Sequence, residues 1–224
     1  MTEPVSLAAA LEALQVTADA IREDFSAKNT ARDTALARSR ELIRRCAEAI
    51  RALHRRDWAE ADARLALVGT GAGAMRAIVA EHADLYSSGY TQDALKEVVE
   101  AYAMAAIIRG ERLPTPAELR VDGAVYLNGL AEAATELRRF ILDILRRDDG
   151  DTPEAIAEAE RLLTWMDAIY DHLVTFDFPD AITGDLRRRT DAVRAVLERT
   201  RGDLTTTMQQ QRLQAALQRA RGDG

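Results

Sequence analysis

Lysine, cysteine and aromatic side chains are scarce in this chain, and each shortage narrows what it can be. A single cysteine, Cys46, among 224 residues excludes an internal disulfide and fits a reducing compartment. Three scattered histidines, His54, His82 and His172, leave almost no donors for zinc. Aromatics are only 5% of the chain, and alanine and leucine rather than β-branched residues dominate its apolar share, which disfavours strands and favours helices. No apolar run approaches the roughly 20 residues of a membrane span, and the opening Met-Thr-Glu-Pro-Val-Ser carries no basic leader. These absences lead us to expect a cytoplasmic chain without membrane contact.

What is present is a helical pattern with clear punctuation. At 47% hydrophobic the chain can bury a full core. We read residues 1–224 as one all-helical domain, with its core at about 15–205 and 206–224 as an extension of the last helix that frays. Prolines 4, 114, 116, 153 and 179 all lie outside the long periodic runs. Thr115-Pro116-Ala117-Glu118 and Thr152-Pro153-Glu154 each place a capping hydroxyl before a first-turn proline, the former as a capping box. Thr91 can cap the next helix upstream. The pattern predicts an all-α bundle of about six to seven helices, with helical segments at 5–27, 29–56, 58–85 with a break at Gly69 to Gly73, 92–109, 116–121, 123–147, 153–175 and 185–219.

Charge is uneven in kind more than in sum. The net charge of −7 argues at first against a nucleic-acid partner. Yet Lys28 and Lys96 are the only lysines, so nearly all of the basic side chains are arginine. On a helix Arg40, Arg44, Arg51 and Arg55 fall within about 60° of one another, beside an apolar face of Leu36, Leu42, Ile43, Cys46, Ile50 and Leu53. Such a stripe is either a solvated flank or a set of guanidinium forks for phosphate.

Four glutamates carry the chemistry. Glu97-x-x-Glu100 and Glu132-x-x-x-Glu136 place each pair on one helix face, so two neighbouring helices can aim all four at one point. After Glu100 the run Ala101 to Ile108 is apolar on every side, which marks a buried helix. Two carboxylates about 4 Å apart at an effective dielectric of 20 repel by roughly 4 kcal/mol, and desolvation adds more. Protons, arginines or a divalent metal must offset this, and carboxylate oxygens suit Mg²⁺ or Mn²⁺ better than zinc. Glu132 and Glu136 lie opposite a seam of Leu127, Leu130, Ala134, Leu137, Ile141 and Ile144, a position that is wet unless the second face, with Val125, Gly129 and Phe140, is also covered. Arg139 sits beside them.

Other features read plainly. Gly69-Thr70-Gly71-Ala72-Gly73 lacks the ending of a phosphate loop and follows no strand. The histidines do not occur in Glu-x-x-His pairs, against a di-iron carboxylate site. Cys46, Trp58 and Trp165 read as packing residues.

Lys96-Glu97-Val98-Val99-Glu100-Ala101, followed about 30 residues later by Tyr126-Leu127-Asn128-Gly129-Leu130-Ala131-Glu132-Ala133-Ala134-Thr135-Glu136-Leu137, resembles the translin and Trax family. Ile21-Arg22-Glu23, Arg40-Glu41-Leu42-Ile43-Arg44, Ile169-Tyr170-Asp171, the basic stretch Leu186 to Arg194, and Arg201-Gly202 occur in the family's order, so the resemblance covers about residues 15–205. It implies an all-α, translin-like fold that assembles into a hollow shell, an octamer, binding single-stranded RNA or DNA within. Trax-type subunits are metal-dependent endoribonucleases and need acids at the positions matching Glu97, Glu100 and Glu132, with a further one matching Glu136. Translin-type subunits, apolar at the position of Glu132, bind without cutting. With all four acids this chain resembles the Trax side, although its Glu132 stands where aspartate is common. The resemblance thus implies an endoribonuclease with Mg²⁺ or Mn²⁺ on Glu97, Glu100, Glu132 and Glu136, phosphate contacts from Arg139, Arg40, Arg44, Arg51 and Arg55, and self-assembly. The alternatives are a non-catalytic single-stranded RNA or DNA binder of the translin type, and a bundle that uses its acids only for salt bridges.

Overall fold

A computed structural model describes residues 6–147 and 149–222. The opening residues 1–5, including Pro4 and the expected helix start at 5, lie outside them, as do residue 148, between the expected helices at 123–147 and 153–175, and residues 223–224 of the expected tail. Among the described residues there are nine helices and no strand, so the all-α expectation holds.

The first helix is longer than its sequence suggests. α1 runs unbroken from Leu7 to His54, with no interruption near 28. No glycine or proline falls there to stop it, and the Thr30 hydroxyl donates to the Ser26 carbonyl without breaking the ladder. A turn at Arg55 to Asp57, with Arg56 in the left-handed region and the Asp57 carboxylate accepting from the Glu60 amide, sends α2 (Trp58–Val79) back along it.

The expected break at Gly69 to Gly73 is also absent. α2 passes straight through, and two of its glycines serve packing instead. A Cβ on Gly69 would lie 2.8 Å from the Tyr102 hydroxyl, and one on Gly71 would lie 3.2 Å from Leu42. The break falls later, at 80–82. Val79 and Leu85, the latter in the one-turn α3 (Ala83–Tyr86), fold over Ala35 of α1 as a small apolar cluster.

α4 (Gly89–Arg109) then begins at Ser88 rather than at Thr91, whose hydroxyl instead donates to the Leu85 carbonyl at 2.8 Å. Residues 101–108 are buried except for the half-buried Tyr102, as their all-round apolar character requires. Gly110 ends the helix in the left-handed conformation. The one-turn α5 (Pro116–Leu119) carries the full capping box of Thr115 and Glu118.

α6 (Gly123–Leu145) is the centre of the bundle. It packs on α4 on one side and on α7 (Pro153–Leu173) and α9 (Leu186–Gly222) on others. The second apolar face read from Val125, Gly129 and Phe140 is therefore covered, and all three are buried. Thr152 caps α7, its hydroxyl accepting from the Ala155 amide. The one-turn α8 (Asp180–Thr183) joins α7 to α9, and α9 stays helical through 206–222. Among the described residues no helix is long and apolar enough to cross a membrane.

Candidate metal and nucleic-acid site

The site exists because α4 and α6 approach to backbone contact. A Cβ on Gly129 would lie 2.8 Å from the Lys96 carbonyl oxygen and closer still to Val99, so only glycine lets the two helices come this near. Glu132 follows Gly129 by three residues, and Glu97 and Glu100 flank Val99. The crossing at Gly129 thus sets the three acids opposite one another.

Glu97, Glu100 and Glu132 each offer a carboxylate oxygen within 4.8 Å of the others. All three are partly buried, and the electrostatics follow. Burial pushes the Glu100 carboxyl up to about 8, with the charges of Glu97, Glu132 and Glu136 adding to the effect. Glu97 is also raised, by burial first and then by Glu132. Burial and the neighbouring acids thus favour the neutral form of Glu100.

Two cations already answer part of this charge. Lys96 Nζ donates to Glu132 Oε1 at 2.6 Å and lies 3.5 Å from Glu97, and Arg189 of α9 donates to the same Glu132 oxygen. Neither is among the site residues expected from sequence. Lys96 directly precedes Glu97, which is its one local signal, whereas Arg189 lies 57 positions from Glu132 and only the basic character of 186–194 marks it.

Glu136 stands apart from the three. Its Oε1 accepts from His54 Nε2 at 2.7 Å and from Arg139 at 3.3 Å. His54 in turn faces Asp143 across 2.9 Å through Nδ1 and lies against the Phe140 ring, with its side chain only 6% exposed. The helix-final His54 is thereby fixed between two carboxylates of α6.

The arginine stripe lies on α1. Arg40, Arg44, Arg51 and Arg55 are all exposed, and among the described residues none of the four has an ion pair, whereas neighbouring Arg38 and Arg45 are spent on Glu41. Its last turn flanks His54 and so borders the acids. Cys46 is buried, which raises its thiol and makes it inert. Trp165 is half-buried, but Trp58 is 41% exposed and lies under the Arg109 guanidinium at 5.6 Å rather than in the core. A cavity of about 720 Å³ adjoins the site, reaching Lys96, Asn128 and Arg189, with Asp93, Asp122, Asp180 and Asp185 along its rim.

The fold and site together define an all-α bundle with a half-buried carboxylate cluster at a helix crossing. No protein-family profile matches the chain. An uncharacterized protein of Methanocaldococcus jannaschii is 30% identical over 194 residues, covering 86% of this chain and 83% of that protein. The crystal structure of AfC3PO, a C3PO of Archaeoglobus, is similar at a TM-score of 0.76 and 29% identity over 86% of this chain and 97% of the other. The fold of apo-NeC3PO matches at a TM-score of 0.74 and 23% identity, over 84% and 96%. The chain belongs to the translin/Trax family, whose complex is C3PO.

Proposed function

We propose that this chain is a metal-dependent endoribonuclease acting on single-stranded RNA, with Mg²⁺ or Mn²⁺ held by Glu97, Glu100 and Glu132 beside Glu136. The observation that carries this is the convergence of three carboxylate oxygens within 4.8 Å at a place where burial already penalises the charge of Glu97 and Glu100. A hard divalent ion with ligands at about 2.1 Å sets neighbouring oxygens about 3 Å apart and opposite ones about 4 Å, so small side-chain turns close the cluster on it. The donor set, oxygen throughout, fits Mg²⁺ or Mn²⁺ and not zinc.

The bound ion supplies polarisation of the phosphoryl oxygens and neutralisation of charge that develops on them. The residues do the rest. With Glu132 on the ion, Lys96 and Arg189, which now hold it, would be available to phosphate oxygens, and Glu136 would stand at the edge as a proton acceptor. Exposed Arg40, Arg44, Arg51 and Arg55, with Arg139, offer a track for the phosphate backbone up to the acids.

Self-assembly belongs to the same reading, as an octameric shell in a cytoplasmic setting. Leu7, Leu11, Leu14, Ile21 and Phe25 on the first half of α1 are each half or more exposed, at alternating steps that mark a helix-pairing seam through the less exposed Ala18. The seam continues into Ala35, Ser39, Leu42, Cys46, Ala49 and Leu53, which this chain buries itself.

One observation favours a second reading. Glu132 is already neutralised by two internal cations, which suits a non-catalytic RNA or DNA binder of the translin type. Cleavage of end-labelled single-stranded RNA in Mn²⁺, beside EDTA and beside Glu132→Ala and Glu100→Gln, separates the two. Metal-dependent cutting lost in both variants is expected; retention of RNA with no cutting by the unaltered chain would transfer it to the binders.

A further inference from the structure

The four acids of the sequence divide into three and one in the structure, and the fourth, Glu136, meets a histidine. Glu136 is one helical turn from Glu132 and close enough to raise the Glu100 carboxyl, yet it is not part of the group whose oxygens converge. Its Oε1 is bound by His54 Nε2, and His54 has no freedom to follow it: Asp143 holds Nδ1 and the Phe140 ring lies 5.3 Å away. Arg139 adds a longer contact to the same oxygen.

We propose that His54 is a positioning residue that withholds Glu136 from the ion, so that three carboxylates bind it and open positions remain for RNA and water. This rests on the reading of Glu97, Glu100 and Glu132 as a divalent-cation site. Catalytic metal sites differ from structural ones in keeping such positions open, and a fourth carboxylate free to swing inward would fill one. A free Glu136 has reason to do so, because a cation amid three acids attracts a fourth, and both its helix and its spacing place it within reach. The clamp of Asp143, His54 and Glu136 restrains it by one oxygen. His54 comes from the end of α1, so the device links the helix that carries the arginine stripe to the acids of α6.

The test is Mn²⁺ affinity of the metal-free protein by calorimetry, with RNA turnover measured beside it. His54→Leu keeps bulk against Phe140 while removing both nitrogen contacts, and Asp143→Asn, at a more exposed position, loosens the clamp without touching the core. The expected result is that His54→Leu binds Mn²⁺ about threefold or more tightly while turnover falls by about tenfold or more, with Asp143→Asn shifting both in the same direction by less. Adding Glu136→Gln to His54→Leu is expected to return the affinity to that of the unaltered chain. A merely structural role for His54 would lower affinity and melting temperature together. Unchanged or weaker Mn²⁺ binding by folded His54→Leu and Asp143→Asn overturns the inference alone; an unaltered chain that binds no Mn²⁺ overturns the cation site beneath it.

Discussion

Glu100 is the residue whose titration has consequences for the whole fold. Its carboxyl ionises near 4.5 when unfolded and near 8 when folded, because burial and three neighbouring acids oppose its charge. Below pH 4.5 it is protonated in both states and has no effect. Between 4.5 and 8 the unfolded chain releases the proton and the folded chain keeps it, so stability falls as pH rises, by a few kcal/mol at most. In EDTA the melting temperature is therefore expected to drop from pH 5 to pH 8, and Glu100→Gln to flatten that slope and melt higher at pH 8. Mn²⁺ should restore the unaltered protein at pH 8 and do less for the variant. An identical slope in the two proteins would remove Glu100 as its source. At this scale the sequence revealed the acids by their spacing of three and four, but not their partners. Lys96, Arg189 and His54 meet them across 36, 57 and 82 positions, distances at which no local pattern speaks.

Among the elements, the crossing of α4 and α6 decides whether a site exists. Gly129→Ala would set a methyl group against Val99 and the Lys96 carbonyl, and overpacking of this kind costs about 1–3 kcal/mol. We expect a lower melting temperature together with weaker Mn²⁺ binding, because splaying the helices separates Glu132 from Glu97 and Glu100. Gly73→Ala is the control: it meets nothing within 4 Å and replaces a glycine in mid-helix, so it should melt slightly higher and bind Mn²⁺ unchanged. Equal Mn²⁺ affinity in Gly129→Ala would show that the crossing does not set the spacing. Glycine misleads in a sequence for this reason. In α2 it reads as a break, yet at Gly69 and Gly71 it makes room for Tyr102 and Leu42 while the helix runs on. Caps are more legible, since Thr115 and Thr152 act within a single turn, although Ser88 rather than Thr91 opens α4.

For the whole molecule, the exposed half of the α1 seam is where the proposed self-assembly would make its contacts. Replacing Leu14 and Phe25 by glutamate places charges at exposed positions that touch no core of this chain, with 64% and 65% of each side chain's residue accessible. Native mass measurement is expected to show smaller species than for the unaltered protein, at unchanged helicity by circular dichroism; the same mass for both would place the assembly contact elsewhere. By itself the sequence determined the all-α class, most helix ends, the burial of 101–108 and the two glutamate pairs, because each of these is set by periodicity or by capping within a turn or two of chain. Only the tertiary structure decided that α1 is one helix, that Gly129 brings α4 against α6, that Lys96 and Arg189 pair with Glu132, and that Glu136 meets His54. Those outcomes depend on which helix faces lie against one another, and such contacts are fixed by packing over the whole chain rather than by any segment of it.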